Sequence, residues 1–290
     1  MGHSDATSDA PHDDPVTVVT VTRGRPERLR QAVESVREQD YAGPIEHFLL
    51  IDDDDALFAR VQGWVSPSPS RSLVASVVRR SESERDDPRS AERSSVYPRL
   101  SRMFNLGAQR ASSAWIAYLD DDNEYLPNHL RSLRELAAQA GSPAVHSARA
   151  MVWPDGSPYL AELFPGAPNP AEGHRLHALM CERGAWVRGT NILKDRVDPG
   201  PPTFRNSTAM CADDPIFLVD QSLWLLRRKL VLTFPFPTDF TQDEIRDNTC
   251  PDDKFLECLV RNGVRIVSSE KATVRYCVGG ISNGDEQADR

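Results

Sequence analysis

The sequence contains no Cys-x-x-Cys pair, and its five cysteines, at 181, 211, 250, 258 and 277, are odd in number. That spacing offers neither a zinc site nor a disulfide framework, and it fits buried thiols in a reducing compartment. There is no uninterrupted apolar run of membrane length. The most apolar later stretch, 216–236, is broken by Asp220, Arg227, Arg228 and Lys229, too many charges for a span. Residues 1–14 are acidic and lack an apolar centre, so they read as a tail rather than a signal peptide, with a second tail at 281–290. A cytoplasmic protein with no integral membrane segment is expected. Positive charge is also in deficit, at a formal net −9. This argues against nucleic acid as a partner, because non-specific binding there depends on Lys and Arg neutralising phosphates. A nucleotide held through a metal is compatible with that sign. No internal repeat is present.

The 290 residues are 39% hydrophobic and 27% charged, ordinary values for a globular chain able to bury a sizeable core. Within them, Trp115 to Leu119 is too apolar to face water on both sides, and it ends on Asp120, Asp121 and Asp122. Carboxylates crowded at a strand end repel unless a cation lies among them. A hard divalent ion shared with substrate phosphates is one natural occupant; an acidic loop capping a helix at Asn128 is the other reading. A second strand pattern, 45–51, ends on Asp52 to Asp55. Two acid runs at strand ends are hard to explain by solubility, which would scatter the charge. Open α/β sheets bind ligands beyond the carboxyl ends of their strands, so both clusters belong on one edge.

The organisation supports this. Val16–Thr22 suits a central strand, and Pro26 opens an amphipathic helix over 26–39 carrying Leu29, Ala32, Val33 and Val36. With the strand at 45–51 it makes a βαβ unit. A strand at 74–78, a long polar loop at 81–95, a helix through Met103, Leu106 and Arg110, and the strand 114–119 followed by a helix from Pro127 complete a doubly wound half. The stretch 153–215 shows no periodicity. Beyond it, 222–226 reads as strand, 251–262 as a helix closed by Gly263, and 264–267 and 272–278 as closing strands. Asp252 and Asp253 fall in the first turn of that late helix, where the dipole alone accounts for acids; a general base is the sharper reading.

Together these segments resemble family 2 glycosyltransferases of the GT-A fold. The resemblance is carried by 16–22, Asp52-Asp53, Arg102-Met-Phe-Asn-Leu-Gly107, Tyr-Leu-Asp-Asp-Asp-Asn123 with Leu-Pro127, and Asp252-Asp253. It covers 15–135 well and 216–268 loosely. It implies an α/β, Rossmann-like fold with a mixed central sheet. A single catalytic domain over 15–280 would place the nucleotide sugar on 15–135 and the acceptor on 136–280. It further implies that Thr20, Thr22 and Asp52 hold the nucleoside, that Asp120 and Asp121 line the donor site, and that Asp122 binds Mn²⁺ or Mg²⁺. Asp253 would deprotonate the hydroxyl of a saccharide or small-molecule acceptor, with inversion, and a UDP-sugar is the favoured donor. Phe104 stands where the family commonly has Arg, so the corresponding donor contact is expected from Arg102 or is absent.

Other candidates are weaker. Arg23 and Arg25 could assist phosphates or be exposed helix-end charges. His174 and His177 lack a third metal ligand and read as a helix pair. Of Trp153, Trp186 and Trp224, Trp186 is the expected aromatic face for a sugar. Two rival functions remain at this level. A nucleotidyltransferase would want a richer glycine loop than Arg23-Gly-Arg25 and would release pyrophosphate. A non-catalytic nucleotide- or carbohydrate-binding module would not hydrolyse a donor.

Overall fold

A computed structural model describes residues 13–64, 68, 70–89, 91–167, 169–199, 214–247 and 249–279. Apart from Asp13 and Asp14, the expected tails lie outside the described residues, as does Cys211. Asp14 is docked, its carboxylate 2.8 Å from Arg134. The strands in chain order are β1 (Val16–Thr22), β2 (Ile45–Asp52), β3 (Arg71–Val78), β4 (Trp115–Tyr118), β5 (Glu124–Tyr125), β6 (Ala144–Val152), β7 (Ile192–Leu193), β8 (Arg196–Val197), β9 (Phe217–Leu218), β10 (Trp224–Arg227) and β11 (Ile266–Cys277). The helices are α1 (Pro26–Arg37), α2 (Asp55–Gln62), α3 (Glu82–Asp86), α4 (Arg93–Arg110), α5 (His129–Ala140), α6 (Pro170–Glu182), α7 (Arg228–Thr233), α8 (Gln242–Arg246) and α9 (Pro251–Arg261). No described helix is long and apolar enough to cross a membrane.

One mixed sheet runs β3-β2-β1-β4-β10-β6-β11-β5, with β7 on β6. Strands β1 to β4 are mutually parallel, and β10 runs antiparallel to both β4 and β6. The reversal has a consequence for function. The amino end of β10 and the carboxyl ends of β1, β2, β4, β6 and β11 all meet at one edge. Val16, Val18 and Val19 are fully buried, as expected of a central strand covered on both faces.

Helix α4 shows why the segment 102–107 has its sequence. Phe104 points into the core, 5.4 Å from Tyr118 and 5.1 Å from Phe236 between ring centres, and Phe236 stacks on Phe255 of α9 at 4.1 Å. Asn105 clamps the Phe236 backbone, donating to its carbonyl at 2.8 Å and accepting its N–H at 2.9 Å. These contacts fix α9, and with it Asp252 and Asp253, against the sheet edge.

The four aspartates 52–55 divide their work. Asp52 is buried between Arg80 and Arg99, with Arg99 Nε donating at 2.7 Å. Burial alone would raise its carboxyl, but the bonds from the two guanidinium groups hold it below its ordinary range. Asp53, in the left-handed region at φ 52, pairs with Arg85. Asp54 caps α2 by accepting the Leu57 N–H at 2.8 Å, and Asp55 pairs with Arg79.

Several expectations are corrected. The polar stretch 81–95 is no long loop: Ser81 and Glu84 form a reciprocal capping box that nucleates α3, and α4 already begins at Arg93. The helix after the aspartates starts at His129, not Pro127, because β5 intervenes to pair with β11. The two closing strands are one, β11, with irregular register between Ser268 and Val274. The unassigned stretch 153–215 contains α6, opened by Asn169, which accepts the Glu172 N–H.

Two stability tests follow from this packing. Helix propensity alone would make Gly107→Ala stabilising by roughly 1 kcal/mol. A Cβ there, however, would lie 2.6 Å from Val19 Cγ1 and 2.8 Å from Cγ2. Val19 is fully buried in a central strand, so overpacking should win, with a net loss of about 1–2 kcal/mol in urea unfolding. A raised midpoint would show that Val19 can turn aside. Asp52→Asn strands two buried guanidinium groups and should cost roughly 3–5 kcal/mol. Because the Asp52 carboxyl is depressed in the fold, its contribution is present above its unfolded pKa of about 3.9 and lost as pH falls through the folded value. A gap between parent and variant that stayed constant in acid would remove the charge from this account.

Candidate functional site

Strand β4 leaves the core through Leu119, whose N–H donates to the Val19 carbonyl at 3.0 Å. The next three residues face three different cavities. Asp120 turns inward to a small cavity of about 90 Å³, shared with Arg149, Asp220, Asp252 and Asp253. Asp121 lines a large cavity of about 1060 Å³ at the ends of β1 and β2. Asp122 lines a third, of about 540 Å³, bordered by Glu124, Trp153 and Arg275. The cation that the crowding requires is Arg25. Its Nη1 donates to Asp122 Oδ2 at 2.8 Å and its Nη2 to Asp121 Oδ1, so it is no mere helix-end charge. Thr22 also donates to Asp121, at 2.7 Å. Even so, burial pushes the Asp121 carboxyl up to about 6 against the pull of Arg25.

Among the described residues no arginine pairs with Asp120. It accepts from Gln221 Nε2 and from Ser222 Oγ, and Asn123 links the same turn to the N–H of Cys277 in β11. Burial, then the facing Asp220 and Asp122, raise its carboxyl well above the ordinary range. Behind it, buried Arg149 bridges Asp195 and Asp220, each at 3.0 Å, and lies over the Tyr276 ring. Arg149, Asp195, Gln221 and Ser222 are missed by sequence reasoning. Only the reversed strand carries residues 220–222 to Asp120, and no local pattern announces that. The late pair completes the cavity. Asp253 Oδ2 accepts the Cys250 N–H at 3.0 Å in a capping box, and burial lifts its carboxyl to about 6. Asp252, raised well above its range by burial and by the facing Asp253, Asp220 and Asp120, is the member closer in charge to the aspartate turn.

The large cavity is lined by Thr22, Asp52 and Asp121 and by six arginines: Arg23, Arg25, Arg28, Arg80, Arg89 and Arg93. Three residues expected at the donor are elsewhere, Asp120 in the small cavity. Thr20 is fully buried and bonds His47 Nε2 at 2.9 Å. Arg102 lies on the outer face of α4, where it pairs with Glu84 at 2.9 Å. Trp186 and Trp224 are buried; Trp186 donates to the Thr190 carbonyl, which removes it as a sugar platform. Of the three tryptophans, Trp153 lines a cavity. His174 and His177 both lie on α6, His177 against Trp186.

The donor chemistry fits a hard divalent cation, because the side chains of Asp120, Asp121 and Asp122 offer carboxylate oxygens. Among the described residues, Cys250, Asp252 and Asp253 also have ligand spacing. There Asp253 Oδ2 is engaged by the cap and Cys250 Sγ by the Tyr97 hydroxyl.

Residues 17–159 match the family model described as glycosyl transferase family 2. No curated protein matches the chain. Among solved structures, S. aureus TarS 1–349 in complex with UDP-GlcNAc is 14% identical at a TM-score of 0.54, covering 93% of this chain and 61% of its own. Another TarS structure gives 15% and 0.53, covering 91% of this chain and 36% of that one. A mannosyltransferase from Pyrobaculum calidifontis in complex with GDP-Man and Mn²⁺ gives 16% and 0.49, covering 91% and 57%. The chain thus spans between about a third and three fifths of the length of these proteins. The α/β architecture with a mixed central sheet is the GT-A fold, and the likeness to glycosyl transferase family 2 in sequence is confined to residues 17–159.

Proposed function

We propose that the chain transfers a glycosyl group from a nucleotide-diphosphate sugar to an acceptor hydroxyl, with inversion, using Mn²⁺ or Mg²⁺ held by Asp122. The observation that carries this reading is the single turn Asp120–Asp122, which borders an arginine-lined cavity on one side and the Asp252–Asp253 pair on another. The arginines suit a diphosphate, since guanidinium–phosphate bonds are charge-assisted and often bidentate. Asp52 and Thr22 line the same cavity at the ends of β2 and β1, where a nucleoside would lie. A UDP-sugar is the donor we favour, supported by the TarS structures solved with UDP and UDP-GlcNAc.

In this reading the metal, when bound, neutralises charge on the leaving diphosphate. The acceptor oxygen bonds the anomeric carbon from the face opposite the diphosphate and gives its proton to a carboxylate. The bond from that carbon to the phosphate oxygen breaks, and its electron pair departs with the nucleoside diphosphate. Sequence reasoning gives the proton to Asp253. The capping bond of Asp253 favours Asp252 as the base and Asp253 as its support, and a proton affinity raised by burial suits a base working near neutral pH.

Asp122→Ala should leave the melting temperature near the parent's while abolishing the Mn²⁺ dependence of UDP binding in calorimetry. Metal-dependent affinity that survived would take the cation away from Asp122. For the base, Asp252→Asn should fold normally, bind donor and lose about 10²–10⁴-fold in turnover. Asp253→Asn keeps an amide oxygen able to accept the Cys250 N–H, so it should melt near the parent and lose little turnover. The opposite ranking, with Asp253→Asn stable but inactive, would return the base to Asp253.

A further inference from the structure

Arg25 lies where two functions of the site collide. Gly24, in the left-handed region at φ 70, turns the chain so that Arg25 reaches back over the aspartates from the start of α1. Its side chain is 36% exposed, whereas those of Asp121 and Asp122 are 1% and 8% exposed. The cation is therefore the partner able to leave. Arg25 also lines the arginine-rich cavity, so a diphosphate entering there meets it directly.

A guanidinium bonded to Asp122 Oδ2 and a divalent ion on the same carboxylate are like charges competing for one acceptor. We propose that Arg25 is a resident counter-ion which the metal must displace, and that the diphosphate is its alternative partner, so that metal and nucleotide bind cooperatively. The proposal rests on the metal role given to Asp122 above. Without nucleotide, the metal loses affinity by the strength of the Arg25 contacts. With nucleotide, those contacts are replaced by bonds to phosphate and the loss disappears. By linkage, the metal must tighten nucleotide binding by the same factor.

The test measures binding rather than turnover, with Mn²⁺ followed by electron paramagnetic resonance in the presence and absence of UDP. In Arg25→Gln, Mn²⁺ alone should bind about tenfold more tightly than in the parent, and the factor by which UDP tightens Mn²⁺ should shrink by about tenfold. Mn²⁺ should also raise the melting temperature of the variant more than that of the parent, which reports on the same competition in folded protein. Arg25→Lys keeps the charge and should retain the parent's weak binding of Mn²⁺ alone. Tighter Mn²⁺ binding in Arg25→Gln with unchanged coupling to UDP would reduce Arg25 to a static charge and overturn the proposal. So would equal Mn²⁺ affinity in parent and variant. Absence of Mn²⁺ binding from parent and variant alike, with UDP present, would instead remove the metal reading itself.

Discussion

Carboxylates that leave the core on neighbouring strands must be neutralised where water reaches them poorly. Desolvating an ion costs several kcal/mol even after relaxation, so a counter-charge has to be supplied by the chain. Arginine supplies most of it: Arg80 and Arg99 for Asp52, Arg25 for Asp121 and Asp122, Arg149 for Asp195 and Asp220. Arginine suits the task because its planar fork bonds two oxygens at once and keeps its charge when buried. Among the described residues Asp120 and Asp252 have no such partner, and their carboxyls are raised well above the ordinary range, chiefly by burial.

Topology decides which acids share that remainder. Four parallel strands alone would bring Asp52 and the Asp120–Asp122 turn to one edge, and nothing else of the inner cavity. Inserting β10 in the opposite sense turns its amino end toward the same edge and brings Asp220, Gln221 and Ser222 with it. Gln221 and Ser222 then orient Asp120 with neutral donors, which hold its position without cancelling its charge. An arginine in their place would have paired the carboxylate with a full charge.

Much of the first half was legible because its determinants are local. The β-branched run of β1, the spacing of Leu29, Ala32 and Val36, and the acids at the ends of β2 and β4 are each visible within a dozen residues. Where the reading failed, the deciding interaction was distant. Thr20 follows the family's sequence pattern and shares a face of β1 with Thr22, yet it lies two residues back from the strand's end, where its hydroxyl bonds His47 of the neighbouring strand. Arg102 is two residues beyond Leu100, which lines the cavities, and so about 200° round the helix, where a salt bridge to Glu84 holds it outward. Trp186, set between Gly184 and Gly189, looks like a loop aromatic until α6 and His177 close over it. Arg149 and Asp195 gave no signal, since an isolated arginine in a strand and an isolated aspartate in a loop have no pattern.

The adjacent acids Asp252 and Asp253 show the limit of spacing arguments most clearly. Both fall in the first turn of α9, both meet the positive end of its dipole, and either satisfies a motif of two consecutive acids. Successive residues of a helix point about 100° apart, so one turn cannot direct both side chains the same way. The third helical position is the one from which a carboxylate reaches back to the N-cap N–H, and Asp253 holds it. The second position then projects over the sheet edge, where Asp252 meets the charges of Asp220 and Asp120. Stacking of Phe255 on Phe236, itself clamped by Asn105, fixes the rotation of the helix. A core contact three residues further along the helix therefore sets which of two neighbouring aspartates faces Asp120.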